Sequence, residues 1–138
     1  MAEFDWDLDN ANKYRKVLFF EMDGAFTFGH MDKKKREKVR ECASRKSLLD
    51  TSNVEWWVFR IFVTKSKKNR FDVDNVPKII IDAFSKEQIT TDKSAFKGIG
   101  LYKNDTIDYV RGVHVAGERV GQSDSTKVEI FGLLRRAV

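Results

Sequence analysis

Asp72-Val73-Asp74-Asn75-Val76-Pro77-Lys78 is the run on which the reading of this chain turns. Two carboxylates stand two residues apart, a helix start follows, and a lysine comes one turn in. On an extended segment the side chains at i and i+2 point the same way, roughly 6.5–7 Å apart. Two anions held on one face repel each other unless a cation or a proton lies between them. Mg²⁺ prefers oxygen ligands of this kind. The run therefore reads as half of a carboxylate metal site. The same residue types also cap helices and build turns, and both readings stand at this point.

Asn75 is a good N-cap and Pro77 fits a first helical turn, where its missing N–H would be unpaired anyway. The pattern predicts a helix over Asn75–Phe84, although Ile79, Ile80 and Ile81 are not helix formers by propensity. Upstream, Val54 to Thr64 is apolar on both faces, which predicts a central buried strand. Lys65 to Arg70 is a basic turn entering the acidic pair. Val17 to Met22 reads as a strand, and Met31 to Leu49 as a helix with a thin apolar face (Val39, Cys42, Ala43, Leu49). Residues 85–101 read as loop. Ile107 to Val115 and Thr126 to Leu133 read as two closing strands, joined by a longer loop than a tight hairpin needs. Phe4, Trp6 and Leu8 alternate with Glu3, Asp5, Asp7 and Asp9, which suits an edge strand or an acidic arm over residues 1–13. The order β-α-β-α-β-β predicts a small α/β (α+β) domain with a mixed sheet, spanning 1–138 as a single unit.

Composition narrows the partner. The 138 residues carry a net charge of +5, which points to an anionic partner such as nucleic acid. Lys33, Lys34, Lys35, Arg36, Lys38, Arg40, Arg45 and Lys46 crowd one predicted helix. Lys65, Lys67, Lys68 and Arg70 lie just before the aspartates. Contacts of this type hold phosphates without reading sequence; charge runs are also commonly solvated faces. Phe71 either packs inward or stacks on a base. Cys42 is alone, which excludes an internal disulfide and thiolate clusters. His30 and His114 do not make a zinc pattern, and neither a nucleophile triad nor a glycine-rich phosphate loop is present. The acidic N-terminus and the lack of any membrane-length apolar run predict a soluble, cytoplasmic protein with no membrane partner.

Lys78 follows Asp74 by four residues, and Asp82 follows Lys78 by four, along one side of a helix. Asn104-Asp105 precedes a strand, so Asp105 can supply a third carboxylate to a Mg²⁺ shell that leaves room for water and phosphate. Such a site suits phosphodiester hydrolysis, with the lysine stabilising charge that builds on the phosphate. The plainer alternatives are a solvated helix lysine, a structural Asn-Asp turn, and an Asp82 that merely pairs with Lys78.

The string Asp72-x-Asp74-Asn75-x-x-Lys78-x-x-x-Asp82-Ala83-Phe84, with Asn104-Asp105 entering the strand Ile107-Asp108-Tyr109-Val110, resembles the RusA-type Holliday junction resolvases. The likeness runs from about Trp56 to Leu133, including Lys127-Val128-Glu129-Ile130. It departs from the family pattern in having a single proline, in carrying Asn104 where the family has an acid, and in a longer stretch between Asp82 and Asp105, where Asp92 and Asp108 are other acids to consider. The resemblance implies a RusA-like fold and a homodimeric endodeoxyribonuclease that nicks four-way DNA junctions in pairs, in DNA recombination and repair. It implies Mg²⁺ (or Mn²⁺) held by Asp72, Asp74 and Asp105, a catalytic Lys78, and Asn75 and Asp82 in support. The rival expectations are a nuclease for flaps or other branched DNA, and a DNA-binding protein with a retired site.

Overall fold

Long apolar runs set the strands. The computed structural model describes residues 4–66, 70–120 and 122–135. Strands β1 (Tyr14–Asp23), β2 (Val54–Lys65), β3 (Val110–Arg119) and β4 (Ser125–Leu134) form one sheet in the order β1-β4-β2-β3. β4 is antiparallel to β1 and β2, whereas β2 and β3 run parallel. Helices α1 (Asp32–Ser44), α2 (Pro77–Ala83) and α3 (Lys86–Asp92) complete a small single-domain α+β fold with a mixed sheet.

The parallel pair explains the middle of the chain. Parallel strands cannot be joined by a tight turn and need a crossover of a dozen residues or more. The segment between β2 and β3 is that crossover. It carries a 3-10 turn (Val73–Asn75), α2, α3 and a second 3-10 turn (Lys97–Ile99). Residues 85–101 are thus not plain loop. Ser85 caps α3 by accepting a hydrogen bond from the Gln88 N–H at 3.2 Å. The two closing strands are not partners either, because β4 inserts between β1 and β2.

Trp57, Phe59, Ile61 and Val63 of β2 point into the main core with Leu18, Phe20 and Met22 of β1 and Val128 and Ile130 of β4. α2 seals it. Ile79, Ile80 and Ile81 are all buried, and Val76, Ala83 and Phe84 beside them are inaccessible. A seven-residue helix of β-branched residues is not stable alone, so tertiary burial supplies what propensity lacks. The opposite face of β2 holds Trp56 and Val58, which cluster with Leu8, Tyr14 and Phe131. In β1 the register shifts between Lys16 and Leu18, and this irregularity moves the strand's inward side chains from the Tyr14 face to the Leu18 face.

The N-terminal segment is an arm and not a strand. Phe4 stacks on Trp56 with centroids 5.5 Å apart, Leu8 is buried, and the Tyr14 hydroxyl donates to Asp5 O. Two of the arm's acids pair within the chain: Asp5 with Lys13 at 2.9 Å and Asp9 with Arg60 at 3.0 Å.

Gly132 in β4 lies across from Trp57. A Cβ there would meet the Val54 methyls at 2.6 and 2.8 Å, inside contact distance. Gly132→Ala should therefore lower stability by about 1–3 kcal/mol, read from the urea midpoint. An unchanged midpoint would show that Val54 moves aside freely.

Candidate active site

Asp72 is extended (φ −96°, ψ 107°), but the chain then winds into the 3-10 turn Val73–Asn75. The strand-like geometry assumed for Asp72 and Asp74 does not apply. They flank the start of a turn, and the i, i+2 spacing of an extended segment is absent. Val73 docks this turn against β3, where a Cβ on Gly117 would come within 3.3 Å of a Val73 methyl. Asn75 is not the N-cap of α2. That position falls to Val76, which makes no side-chain cap, and the Asn75 carbonyl instead accepts from the Phe28 N–H at 3.0 Å. Asn75 thereby ties the turn to the loop that leads into α1.

Asp74 is exposed and makes no hydrogen bond or ion pair among the described residues. Asp72 is exposed and faces Arg70 at 3.3 Å. Arg70 is itself highly exposed, so this pair contributes little.

Lys78 gathers the rest. Its ammonium donates to Asp105 Oδ2 at 2.6 Å and to Asp82 Oδ1 at 3.1 Å. The chain between α2 and Asp105 is long, and it returns because residues 101–103 run back alongside Phe84–Glu87. Leu101 N–H donates to Phe84 O, Lys86 N–H to Tyr102 O, and Glu87 N–H to Lys103 O. An Asx turn then aims Asp105, with Asn104 Oδ1 accepting from the backbone N–H and the hydroxyl of Thr106 at 3.1 and 2.7 Å. An amide oxygen performs this turn as well as a carboxylate would.

The three charged groups perturb one another. Burial pushes the Asp82 carboxyl up from the usual range, Lys78 pulls it back, and the Asp105 charge raises it again. Asp105 is held below its ordinary value, chiefly by the Lys78 hydrogen bond. Burial pulls Lys78 down, but its bonds to Asp105 and Asp82 outweigh this and its pKa is raised. Asp82, only 6% exposed, therefore keeps its proton more readily than Asp105 does. Tyr102 supports the cluster from beneath: its buried hydroxyl donates to Ile81 O, and burial together with the nearby Asp82 and Asp105 charges keeps it un-ionised.

Carboxylate oxygens suit a hard divalent cation. Among the described residues, however, no three Asp, Glu, His or Cys side chains gather closely enough to hold a metal ion. Asp105 is beside Lys78, and Asp72 is beside Arg70. Of the other acids considered, Asp92 is buried against Arg36 at 2.8 Å and does not belong to this cluster, and Asp108 is exposed.

The basic residues divide. Lys33 and Lys34 are exposed and make no ion pair among the described residues. Lys35 donates to Thr27 O at 2.6 Å. Arg36 and Arg40 are buried and pair with Asp92. Lys65 pairs with Asp124 at 2.6 Å and sits over the Phe71 ring at 5.0 Å, while Phe71 packs on the main core. Lys67 and Lys68 lie outside the described residues. The charge run predicted a solvated, phosphate-facing helix; the helical spacing of Arg36 and Arg40 with Val39 and Ala43 was the signal that two of its bases face inward.

No helix among the described residues is long and apolar enough to cross a membrane. No family model matches the chain, and no curated protein matches it. Among solved structures, the chain is similar to TubZ of Bacillus thuringiensis serovar israelensis in a GTPγS-form protofilament, at 10% identity and a TM-score of 0.38. The match covers 88% of this chain and 24% of that one, so this chain spans about a quarter of that protein's length.

Proposed function

We propose that this protein is a metal-assisted endodeoxyribonuclease acting on branched DNA, with four-way junctions as its substrate and a homodimer as its working form. The observation that carries the reading is the convergence of Lys78, Asp82 and Asp105 along one side of α2, with Asp72 and Asp74 at the turn just before it. A lysine flanked by carboxylates, on a chain of net charge +5, suits a phosphodiester substrate.

Lys78 presents a fixed positive charge to a phosphoryl oxygen as negative charge builds there. Asp82 and Asp105 hold that ammonium in place. Asp72 and Asp74, with Asp105, are the oxygen donors proposed for Mg²⁺ or Mn²⁺. Bound there, the ion would neutralise phosphate charge and acidify a water. Asp105 belongs to the Lys78 pair in the fold as it stands, so Asp72 and Asp74 are the donors open to an ion that commonly takes one or two carboxylates and completes its shell with water and phosphate.

The test is cleavage of a synthetic four-way junction in Mg²⁺ and in EDTA. Wild type should nick in pairs only with the metal, and Asp74→Asn should bind the junction without cutting it. Full activity of Asp74→Asn, or equal cutting in EDTA, would sink the assignment. Preference for flaps in a panel of branched substrates would keep the chemistry and change the substrate. One observation favours a non-catalytic DNA-binding protein: Lys78 already neutralises Asp105. That reading predicts junction binding indifferent to Mg²⁺ and to Asp74, and no cutting by any variant.

A further inference from the structure

We infer that a lysine track on the α3 side of the crossover binds the phosphate backbone of nucleic acid. α3 presents Lys86, Ile89, Thr90 and Lys93 along one face, at the i, i+3, i+4, i+7 spacing of a single helical side. Lys97, from the second 3-10 turn, closes that face into a depression of about 350 Å³. Lys97 also lines a neighbouring depression of about 290 Å³, which Lys46, two residues past the end of α1, lines as well. Lys97 is common to both depressions, so Lys46, Lys97, Lys93 and Lys86 line two adjoining hollows, and all four are exposed. No carboxylate lines either depression, and none of the four makes an ion pair among the described residues. This sets them apart from Arg36, Arg40 and Lys65, whose charges are already met inside the fold.

Two local features hold the series in place. A Cβ on Gly100 would come within 2.7 Å of the Lys86 side chain, so only glycine leaves room for the lysine stem there. Lys93 ends α3 in the left-handed region (φ 53°), which glycine or asparagine normally occupies. A lysine stands there against the conformational preference of the backbone.

Several ammonium groups in a row fit a chain of phosphates better than one small anion. Lys86 and Lys93 are seven residues apart, about 10 Å along the helix axis, which is too far to close on a single phosphate. The largest apolar side chain in the α3 depression, Ile89, is buried, so that wall offers no anchor for lipid. The inference rests on nucleic acid being the partner proposed above, but not on cleavage.

The experiment measures anisotropy of a labelled junction and of a short duplex in EDTA, so that cutting plays no part. Salt is varied from about 50 to about 200 mM. Lys93→Gln/Lys97→Gln should weaken binding about tenfold or more and reduce the slope of log affinity against log salt by about 2. Lys93→Arg/Lys97→Arg should restore both. Arg111→Gln/Lys127→Gln removes the same charge from other exposed positions, and should leave the slope nearly unchanged. An equal loss in this control would reduce the effect to net charge and overturn the track. So would an unchanged slope in the first variant, or a wild type that does not bind DNA. Inorganic phosphate binding as tightly as duplex would replace the backbone with a small anion, and loss of binding to phosphatidylserine vesicles alone would replace it with lipid. Loss of cutting with the track's DNA affinity intact would strike the catalytic reading and leave this one standing.

Discussion

Asp92→Ala should cost the fold about 3–5 kcal/mol, the range found when one partner of a buried ion pair is removed. Arg36 reaches Asp92 with two parallel hydrogen bonds of 2.8 and 2.9 Å, and Gln88 adds a third at 2.9 Å. Arg40 is wholly buried and lies 3.0 Å from Asp92 Oδ2. Its Nη2 is off line for a directed hydrogen bond, so the Asp92 charge compensates it by proximity. Arg40 also donates to Ala83 O at 2.7 Å, which fastens α1 to the end of α2. Without Asp92 two guanidinium groups would stay buried between α1 and α3 with their main counter-charge gone. Tm should fall by on the order of 10–20 °C in a thermal melt. A fall of a degree or two would show that water enters and solvates them.

The same residue carries a pH signature. Burial alone would raise the Asp92 carboxyl, but hydrogen bonds from Arg36 and Gln88, with the Arg40 guanidinium close by, outweigh it and hold it below the ordinary range. Its folded pKa thus lies below the unfolded value of about 3.9. The stabilisation is complete above that value and is lost as pH falls through the folded pKa. Glu37, also lowered and bonded to Ser94 and Ala95, adds to the loss in the same acid window. Urea unfolding should therefore show a steep drop in stability below about pH 4. Asp92→Asn should be less stable at neutral pH and have a shallower acid limb; a limb as steep as that of wild type would assign the effect elsewhere.

Lys78→Met should slow junction cleavage by about 100- to 1000-fold in single-turnover assays, the usual scale for losing one charge-stabilising donor. Junction affinity should change only a few-fold, because one phosphate contact is a small part of the total. Unchanged cleavage would remove Lys78 from the chemistry. The substitution also leaves Asp82 and Asp105 facing each other without a cation. Asp82 should then hold its proton to higher pH, visible as an upward shift in its carboxyl titration by NMR. A carboxyl that titrates as in wild type would mean that Lys78 does not govern the pair.

The paired and unpaired bases change how the net charge of +5 is to be understood. Much of the charge in α1 is structural. Arg36 and Arg40 are spent on Asp92, and Lys35 on the Thr27 carbonyl. Besides Lys33 and Lys34, unmet positive charge lies on residues 86–97, a segment whose mixed polar composition gave no periodic signal strong enough to read as helix. α3 is one short amphipathic turn pair with Ile89 as its main apolar contact, too little to stand out in a sequence window.

Local pattern determined the strands. The apolar run at β2, the alternation in β4 and the helix after Pro77 are all written in residues a few positions apart, and the α+β class follows from their order. The presence of Lys78 and Asp82 on one helical side was legible for the same reason, since i, i+4 spacing is a local property. Three features were completed only by the tertiary structure. The parallel pairing of β2 with β3, and the insertion of β4 between β1 and β2, depend on which strand edges meet. The inward turn of Arg36 and Arg40 depends on Asp92 arriving from the crossover. The 2.6 Å contact between Lys78 and Asp105 depends on a backbone ladder that folds residues 101–103 against 84–87. Spacing along a chain specifies geometry only while the backbone between two residues is one regular element. Asp72 to Asp74 crosses from extended to 3-10, and Asp82 to Asp105 crosses a whole crossover, so there the fold and not the sequence decided which charges meet.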